Sequence, residues 1–210
     1  TPGISFGKYL DASLLKAQIL NVNNKYFPVL SKECGDAMIK KIEETALQKD
    51  SIGGILETAI VNLEGGIGEP MFHSLESTLS HYLFSVPAVK GVEFGLGFEF
   101  ANTLGSIAND AFYYEDNRVK TKTNNNGGIN GGISNGMPIL FKTVIKPTPS
   151  IYKQQETINI KEHNNTLLEI EGRHDPAILH RARVVIDSVS ALALLDLMCE
   201  RYGYTWMEEK

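Results

Sequence analysis

The sequence predicts an α+β domain, and three observations support this fold class. Apolar residues recur with helical spacing in 31–48, and the long apolar run 177–198 predicts the longest helix. Runs of strand length, alternating or continuously apolar, lie between these helices. The predicted strands occupy 55–63, 88–94, 138–144 and a strand pair at 156–160 and 166–170. The whole chain, 1–210, is interpreted as a single α+β domain.

The composition is that of an ordinary globular protein. Hydrophobic residues make up 42% of the chain and charged residues 21%, enough for one good core or two small ones. The net charge of −5 gives no overall basic field, so nucleic-acid binding is not expected. The longest apolar run is interrupted by Arg181, Arg183, Asp187 and Asp196, so no membrane span is expected either.

The cysteines and the first residue bear on compartment and completeness. Cys34 and Cys199 each lie in a predicted helix, and they are too few for a disulfide framework or a zinc site. A reducing, cytoplasmic setting is therefore expected, and no signal peptide is recognised. Because the chain begins with Thr1 rather than Met, it is interpreted as a processed chain or a piece of a longer one.

The first helix follows Ser31 and Glu33 and runs to about Gln48. The strand 55–63 is apolar enough to be central, and it ends in the glycine-rich turn 64–70. Such a turn can cradle a phosphate. Its spacing matches neither a P-loop nor a dinucleotide fingerprint, so a purely structural turn is favoured.

A second helix is predicted from about Met71 to Phe84, and it carries His73 and His81. No carboxylate or third ligand completes a metal-binding spacing with these two histidines. They are therefore interpreted as residues of the polar face, and no metal site is predicted. The strand 88–94 and a short strand within 113–123 follow.

The run 123–136, TNNNGGINGGISNG, consists mostly of glycine and asparagine. A low-complexity linker has this composition, but the run is short and contains two Gly-Gly-Ile units. It is therefore interpreted as an ordered loop with positive φ angles and exposed backbone N–H groups. Such donors suit a flat or anionic ligand that must approach the backbone closely.

The strand 138–144 leads into Lys146-Pro147-Thr148-Pro149-Ser150. The two prolines stiffen this segment, and each removes a backbone donor. The lysine and the two hydroxyls are thereby presented on a rigid backbone, which predicts a phosphate clamp. A proline-rich strand exit without a ligand is the alternative.

The pentapeptide Gly172-Arg173-His174-Asp175-Pro176 joins the strand pair to the long helix. Pro176 is expected in the first turn of that helix, with Asp175 as its N-cap, where the helix dipole favours a negative charge. A cap with a neighbouring salt bridge is the simpler interpretation. Three polar groups of different chemistry in five residues favour a site as well.

Eight short motifs resemble those of one known family, chorismate synthase. They are Asp50-Ser51-Ile52-Gly53-Gly54, Gly66-Ile67-Gly68-Glu69-Pro70, Pro87-Ala88-Val89-Lys90-Gly91, Asn109-Asp110, Gly127-Gly128-Ile129, Gly131-Gly132-Ile133-Ser134-Asn135-Gly136, Lys146-Pro147-Thr148-Pro149-Ser150 and Gly172-Arg173-His174-Asp175-Pro176. They occur in the family's order and at about its spacing from roughly residue 50 onwards, whereas 1–30 match the family poorly.

The resemblance implies a fold in which helices pack between antiparallel β-sheets, present here as a partial domain, and a homotetramer. It implies a lyase that removes phosphate and a ring hydrogen from 5-enolpyruvylshikimate 3-phosphate, giving chorismate in the shikimate pathway of aromatic amino acid biosynthesis. The family needs reduced FMN, although there is no net redox change. Whether the parent enzyme reduces its own flavin, with NADP as the nicotinamide cofactor, or relies on an external reductase is left open.

The same resemblance assigns site residues. Flavin contacts are implied for Pro87, Ala88, Asn124, Gly131, Lys146, Pro147, Thr148, Pro149, Ser150 and Arg173. Gly131 allows close approach of the isoalloxazine ring, and Arg173 offers a forked set of donors. Asp175 matches the family's aspartate near flavin N5, where a carboxylate can relay a proton.

The family's N-terminal motifs are absent from the chain. These are a Gly-Glu-Ser-His-Gly motif, an Arg-Arg pair, a Pro-Ser-His-Ala-Asp motif and a Gly-Gly-Gly-Arg-Ser-Ser stretch, which supply two catalytic histidines and most of the substrate's arginine contacts. The chain therefore resembles the C-terminal half to two thirds of the enzyme. It is expected to be inactive without the missing N-terminal half. A non-catalytic domain for flavin or phosphate binding, or for assembly, is the alternative function.

Overall fold

The computed structural model describes residues 12–207 of the chain. Its helices are α1 (Ala12–Asn23), α2 (Lys32–Leu47), α3 (Leu75–Ser85), α4 (Gly105–Ala108) and α5 (Leu179–Tyr202). Its strands are β1 (Gly54–Ile60), β2 (Val89–Phe94), β3 (Phe112–Glu115), β4 (Arg118–Thr121), β5 (Ile129–Asn130), β6 (Ile133–Ser134), β7 (Ile139–Ile145), β8 (Gln155–Asn159) and β9 (Asn164–Leu168). Short 3₁₀ helices lie at Met71–His73 and Gly97–Asn102.

A three-stranded sheet of order β1-β7-β2 forms the centre of the fold. Both pairings are antiparallel, and β1 runs in register with β7 from Gly54 opposite Ile145 to Ile60 opposite Ile139. Side chains alternate between the two faces of a strand, so Ile139, Phe141 and Ile145 share one face and are almost fully buried there. The α+β prediction is confirmed, and the three long predicted strands lie in this sheet.

Helices α3 and α5 cover that apolar face. On α3, Leu75, Leu79 and Leu83 recur every fourth residue and are completely buried. Burying each such side chain stabilises the fold by roughly 1.5–3 kcal/mol. On α5, the buried positions Ile186 and Leu197 belong to the same core cluster. The helical spacing therefore identifies the core face of α3. On α5 it is wrong for Val184, Val185, Leu192 and Leu195, which it predicts as core positions and which are exposed, whereas Val189 and Met198 pack against the core as predicted.

The remaining strands form two-stranded ribbons outside the central sheet. The predicted strand pair is confirmed as the antiparallel hairpin β8–β9. The single short strand predicted within 113–123 is instead the hairpin β3–β4, because Asp116 and Asn117 adopt positive φ angles and reverse the chain. The pair β5–β6 lies inside the glycine–asparagine run.

The predicted start of the last helix is wrong. Helix α5 begins at Leu179, and its N-cap position is Ile178, which makes no side-chain capping bond. Asp175 lies three residues earlier and accepts a hydrogen bond from Ala177 N at 3.3 Å. This local turn uses the carboxylate before the helix begins, so Asp175 is not the N-cap and Pro176 is not in the first turn.

The outer side of α5 carries apolar residues that no other described element covers. Val184, Val185, Leu192 and Leu195 are all exposed there, although α5 buries its opposite side against the sheet. A helix that is apolar on both sides is typical of a buried position between two layers. Within residues 12–207, no helix is both long enough and apolar enough to cross a membrane.

Candidate functional site

The predicted cofactor-binding residues lie at the two opposite ends of β7. We call one the cation end: it comprises Lys146–Ser150, Pro87-Ala88 and 172–176. We call the other the glycine–asparagine end: it comprises 123–136 and Asp110. The backbone N–H of Lys146 donates to Ala88 O at 2.9 Å, which places the first two cation-end segments side by side.

The third cation-end segment is held by an aromatic contact to Tyr152, two residues beyond the first segment. The rings of Tyr152 and His174 meet edge to face, with centroids 4.4 Å apart. His174 N donates to the Tyr152 hydroxyl at 3.3 Å, and the His174 ring nitrogen Nε2 lies 3.0 Å from Ile170 O. Because a carbonyl only accepts, Nε2 carries the proton in this arrangement. His174 therefore fixes the backbone of the pentapeptide.

Two cations of the cation end are available to an anion. Lys146 and Arg173 are exposed, and neither side chain forms an ion pair or hydrogen bond with any other residue of 12–207. The Thr148 hydroxyl is buried and also lacks a hydrogen-bond partner within that range. Ser150 is half-buried beside it. A phosphate group would satisfy such donors, so these residues fit the phosphate of FMN.

The prolines and Ala88 shape the backbone around these donors. Pro87, Pro147 and Pro149 are exposed, and Ala88 adopts a φ of 75°. A positive φ at a non-glycine residue is strained and is found mostly where the surrounding structure requires it. Here it turns the chain between α3 and β2, next to Lys146.

Asp175 is engaged on both carboxylate oxygens. Oδ1 accepts from Ala177 N, and Oδ2 binds the Arg181 guanidinium of the first turn of α5. The Asp175 side chain is 30% exposed, so a ligand can still reach it. Its orientation is fixed by these two contacts, and an ionised carboxylate held in this way is able to accept a proton.

At the glycine–asparagine end, one buried carboxylate orders the loop. Asp110 accepts four hydrogen bonds, from Thr123 Oγ1, Asn125 N, Asn126 N and Asn126 Nδ2, at 2.6–2.8 Å. Burial alone would raise the pKa of Asp110, but these hydrogen bonds, led by that from Thr123, outweigh it and hold the pKa below its usual value. The run is therefore an ordered loop rather than a linker, as predicted.

The glycines of this loop are of two kinds: three are closely packed and one is open on its outer face. Gly127, Gly128 and Gly132 have positive φ angles, and a Cβ on any of them would lie within 2.7 Å of another atom. Gly131 also has a positive φ, of 60°, but a Cβ there would meet nothing within 4 Å. Its outer face is open, which fits the close approach of a flat ring.

Asn124 lies at the base of the loop. Its Nδ2 donates to Pro138 O at 2.8 Å, whereas its Oδ1 is buried and has no partner among residues 12–207. The glycine-rich turn 64–70 packs against β6: Ile67 N donates to Ser134 Oγ at 2.9 Å. Because the N–H groups of Gly66 and Ile67 are used in this way, the turn is structural and does not cradle a phosphate.

The two ends are separated by the length of the sheet. Pro138, which binds Asn124, precedes Lys146 by eight positions of extended chain, or about 26 Å. Helix α3 gives a second measure of this separation. Gly132 packs against Ser74 at the start of α3, and Ala88 lies just beyond the end of α3. The 11 residues of the helix place its two ends about 16 Å apart. One phosphate cannot contact both ends, and a single ligand that touches Gly131 and Lys146 must be extended.

The histidines of the first half form a separate group. His73 Nδ1 lies 3.2 Å from Glu200 Oε1, and His81, Tyr82 and Asp196 line the same shallow cavity between α3 and α5. No group of three or more metal-ligating side chains occurs within the described part of the chain. The interpretation of both histidines as surface residues of the helix layer agrees with this arrangement.

The comparisons with known proteins identify one family. A model of the chorismate synthase family matches residues 4–199. Chorismate synthase from Methanobrevibacter smithii is 48% identical over 179 residues, which cover 83% of this chain and 49% of that protein. The enzyme from Pyrococcus abyssi is 42% identical over 190 residues, covering 90% and 53%. The chain belongs to the chorismate synthase family.

A solved structure supports the same assignment. A crystal structure of chorismate synthase superposes with a TM-score of 0.78 at 25% sequence identity, over 97% of this chain and 54% of that one. The chain thus spans about half the length of the chorismate synthases that it matches. The expectation of a partial domain of this family is confirmed.

Three features of the cation end were missed in the sequence. Tyr152 carries no signal of its own, because its role depends on meeting His174 across the strand pair. Arg181 enters the sequence analysis only as a charge that interrupts the longest apolar run, although its distance of six residues from Asp175 is short enough to suggest a local pair. The loop Asp50–Gly53 was recognised as a motif, but no role was assigned to it.

Proposed function

We propose that the parent protein is a chorismate synthase that uses reduced FMN, and that this chain contributes much of its flavin site. The observation that supports this most is the cation end. Lys146 and Arg173 remain unpaired there, and the Thr148 hydroxyl lacks a partner, within the described residues. Family membership explains why such groups are gathered at one place.

The residues of the chain have distinct roles in this proposal. Lys146, Thr148 and Ser150 bind the FMN phosphate, and Arg173 donates to the cofactor or to an anionic group beside it. Reduced FMN, when bound, supplies electron density that assists departure of the substrate's phosphate. Asp175 holds or accepts a proton at the cation end, whereas Gly131, at the opposite end of β7, leaves space for the flat ring of an extended ligand.

The proposed substrate is 5-enolpyruvylshikimate 3-phosphate, and the product is chorismate. This half-length chain is expected to need the rest of the enzyme, since the family's motifs that supply two catalytic histidines and most of the substrate's arginine contacts are absent from it. The exposed apolar side of α5 is a surface that such a partner would cover. Assembly of the parent as a cytoplasmic homotetramer belongs to the same proposal.

Flavin titration tests the proposal directly. FMN fluorescence is followed as the 210-residue chain is added, alone and together with the part of the Methanobrevibacter smithii enzyme that the match does not cover. Arg173→Ala is expected to weaken FMN binding about tenfold, because a charge-assisted contact is lost. Lys161→Ala, an exposed lysine of the β8–β9 turn, is the matched control. Equal affinities for both variants would contradict the assignment.

A second candidate function is a non-catalytic assembly domain, which the uncovered apolar side of α5 favours. The two candidates differ in whether chorismate forms when the chain is combined with the uncovered part of the relative and photoreduced FMN. The isolated chain is expected to form none. Chorismate formation by the isolated chain would refute the proposal that the other part is required.

A further inference from the structure

The loop Asp50–Gly53 connects α2 to β1. The proposed function assigns no role to it. We call it the clasp loop. It lies against two of the three cation-end segments, Lys146–Ser150 and 172–176, although it is remote from both in sequence. Its contacts are all directed at backbone or at a single charged side chain.

The first contacts hold the phosphate segment. Ser51 Oγ donates to Thr148 O at 2.6 Å. At Gly53, a Cβ would lie 2.4 Å from Ile145 O and 2.9 Å from Pro147 Cδ. No side chain can be accommodated at such distances, so the close approach of the clasp loop to this segment requires glycine.

The next contact holds the pentapeptide. Ile52 N donates to Pro176 O at 2.8 Å. This bond joins the clasp loop to the residue that directly follows Asp175. Ser51 and Ile52 are consecutive, so one dipeptide binds the phosphate segment on one side and the pentapeptide on the other.

An ion pair joins the first residue of the clasp loop, Asp50, to Lys153. Asp50 Oδ2 pairs with Lys153 Nζ at 2.6 Å, and Asp50 Oδ1 accepts from Ser51 N at 2.9 Å. The hydrogen bond from Lys153, and then that from Ser51, keep the pKa of Asp50 below its usual value. Lys153 adjoins Tyr152, whose ring contacts His174, so this pair supports the same junction.

We propose that the clasp loop is a positioning element of the cofactor site: Ser51, Ile52 and Gly53 set the separation between the phosphate-binding segment and the Arg173–Asp175 segment. This inference rests on the proposed function and deepens it. The clasp loop does not touch the ligand. It acts by holding two ligand-binding segments, which come from distant parts of the sequence, in one arrangement.

The physical reason is pre-organisation. A ligand that contacts both segments must otherwise order them on binding, and that entropic cost reduces its affinity. Sites hold their geometry through residues that lock the ligand-binding groups by packing and hydrogen bonds. Two backbone carbonyls, Thr148 O and Pro176 O, receive such bonds from neighbouring residues of one short loop.

The experiment uses the 210-residue chain with Ser51→Ala, Ser51→Thr and Gly53→Ala. Amide hydrogen exchange by NMR is measured at Ile52 and Lys146, whose N–H groups form the clasp bond and the strand-exit bond, and at Leu197 in the core of α5. Gly105→Ala is the matched control, because a Cβ at Gly105 meets nothing within 4 Å.

Ser51→Ala is expected to speed exchange at Ile52 and Lys146 about fivefold, the effect of losing one hydrogen bond, and to leave Leu197 unchanged. Gly53→Ala is expected to have a larger effect, and Ser51→Thr, which keeps the hydroxyl, a smaller one. FMN affinity is expected to fall in the same order, with Gly105→Ala unchanged in both measurements. If Gly53→Ala does not fold, the comparison of Ser51→Ala with Ser51→Thr still tests the proposal.

Two outcomes would overturn the inference. Unchanged exchange in Ser51→Ala would show that the clasp bond does not hold the segments. Weaker FMN binding with unchanged exchange would show that the loop acts by touching the ligand. The exchange measurement needs no flavin: if the wild-type chain binds no FMN even with the relative's other part, the proposed function fails, while faster exchange still supports the clasp.

Discussion

The two ends of β7 differ in how completely their polar groups are satisfied. At the glycine–asparagine end, Asp110 accepts four hydrogen bonds, and three glycines pack tightly against neighbouring atoms. At the cation end, Lys146 and Arg173 have no partner within the described residues, and neither has the Thr148 hydroxyl. Apart from the buried Asn124 Oδ1, which has no partner among residues 12–207, the polar groups described at the first end are paired within this chain, whereas the second end is arranged for a group that comes from outside it.

The largest expected effect is that of Asp110→Ala. The substitution leaves the donors of Thr123, Asn125 and Asn126, whose hydrogen bonds are part-buried, without their acceptor, and donors left unsatisfied in this way are costly. The free energy of unfolding is expected to fall by about 3 kcal/mol or more. Urea denaturation measures it, with the exposed Asp36→Ala of α2 as control. Equal losses for both variants would contradict the ordering role of Asp110.

The next effect separates two neighbouring glycines. Gly132→Ala is expected to cost about 2–3 kcal/mol, because its positive φ is combined with a Cβ position 2.6 Å from Glu69 O. Gly131→Ala is expected to cost only about 1 kcal/mol, because the strain of a positive φ is its sole penalty. Thermal unfolding of both variants measures the difference. Similar costs would show that close packing does not distinguish the two positions.

Acid is expected to weaken the glycine–asparagine end. The pKa of Asp110 is lower in the folded chain than in the unfolded one, so its ionised form stabilises the fold above the unfolded value of about 3.9. That contribution is lost as pH falls through the lower, folded pKa. The stability difference between wild type and Asp110→Asn is therefore expected to shrink from pH 7 towards pH 3. A difference that is independent of pH would contradict the ionised state of Asp110.

The smallest effect on stability is expected at the cation end. Lys146→Ala removes an exposed, unpaired side chain, so the free energy of unfolding is expected to change by less than about 0.5 kcal/mol. FMN binding, measured by fluorescence on the same samples, is expected to weaken. A large loss of stability would show that Lys146 supports the fold, and the contrast between the two ends would disappear.

Most of the secondary structure was predictable, because hydrophobic period is a local property. The core positions of α3, the three long strands and the β8–β9 hairpin all followed from spacing. The start of α5 did not follow from spacing, because the Asp175 carboxylate can either cap the helix or form a local turn and an ion pair. It binds Ala177 N and Arg181 rather than the helix end, and sequence alone cannot rank such competing local bonds.

The sequence by itself determined the family, the α+β class and the segments that carry the candidate site, since these depend on residue types in order. Only the tertiary structure decided how those segments are arranged: the clasp loop joins Thr148 to Pro176, whereas Asn124 and Gly131 lie at the far end of β7. The physical reason is that contacts such as Ser51 to Thr148, 97 residues apart, arise from the packing of the whole sheet and leave no local pattern.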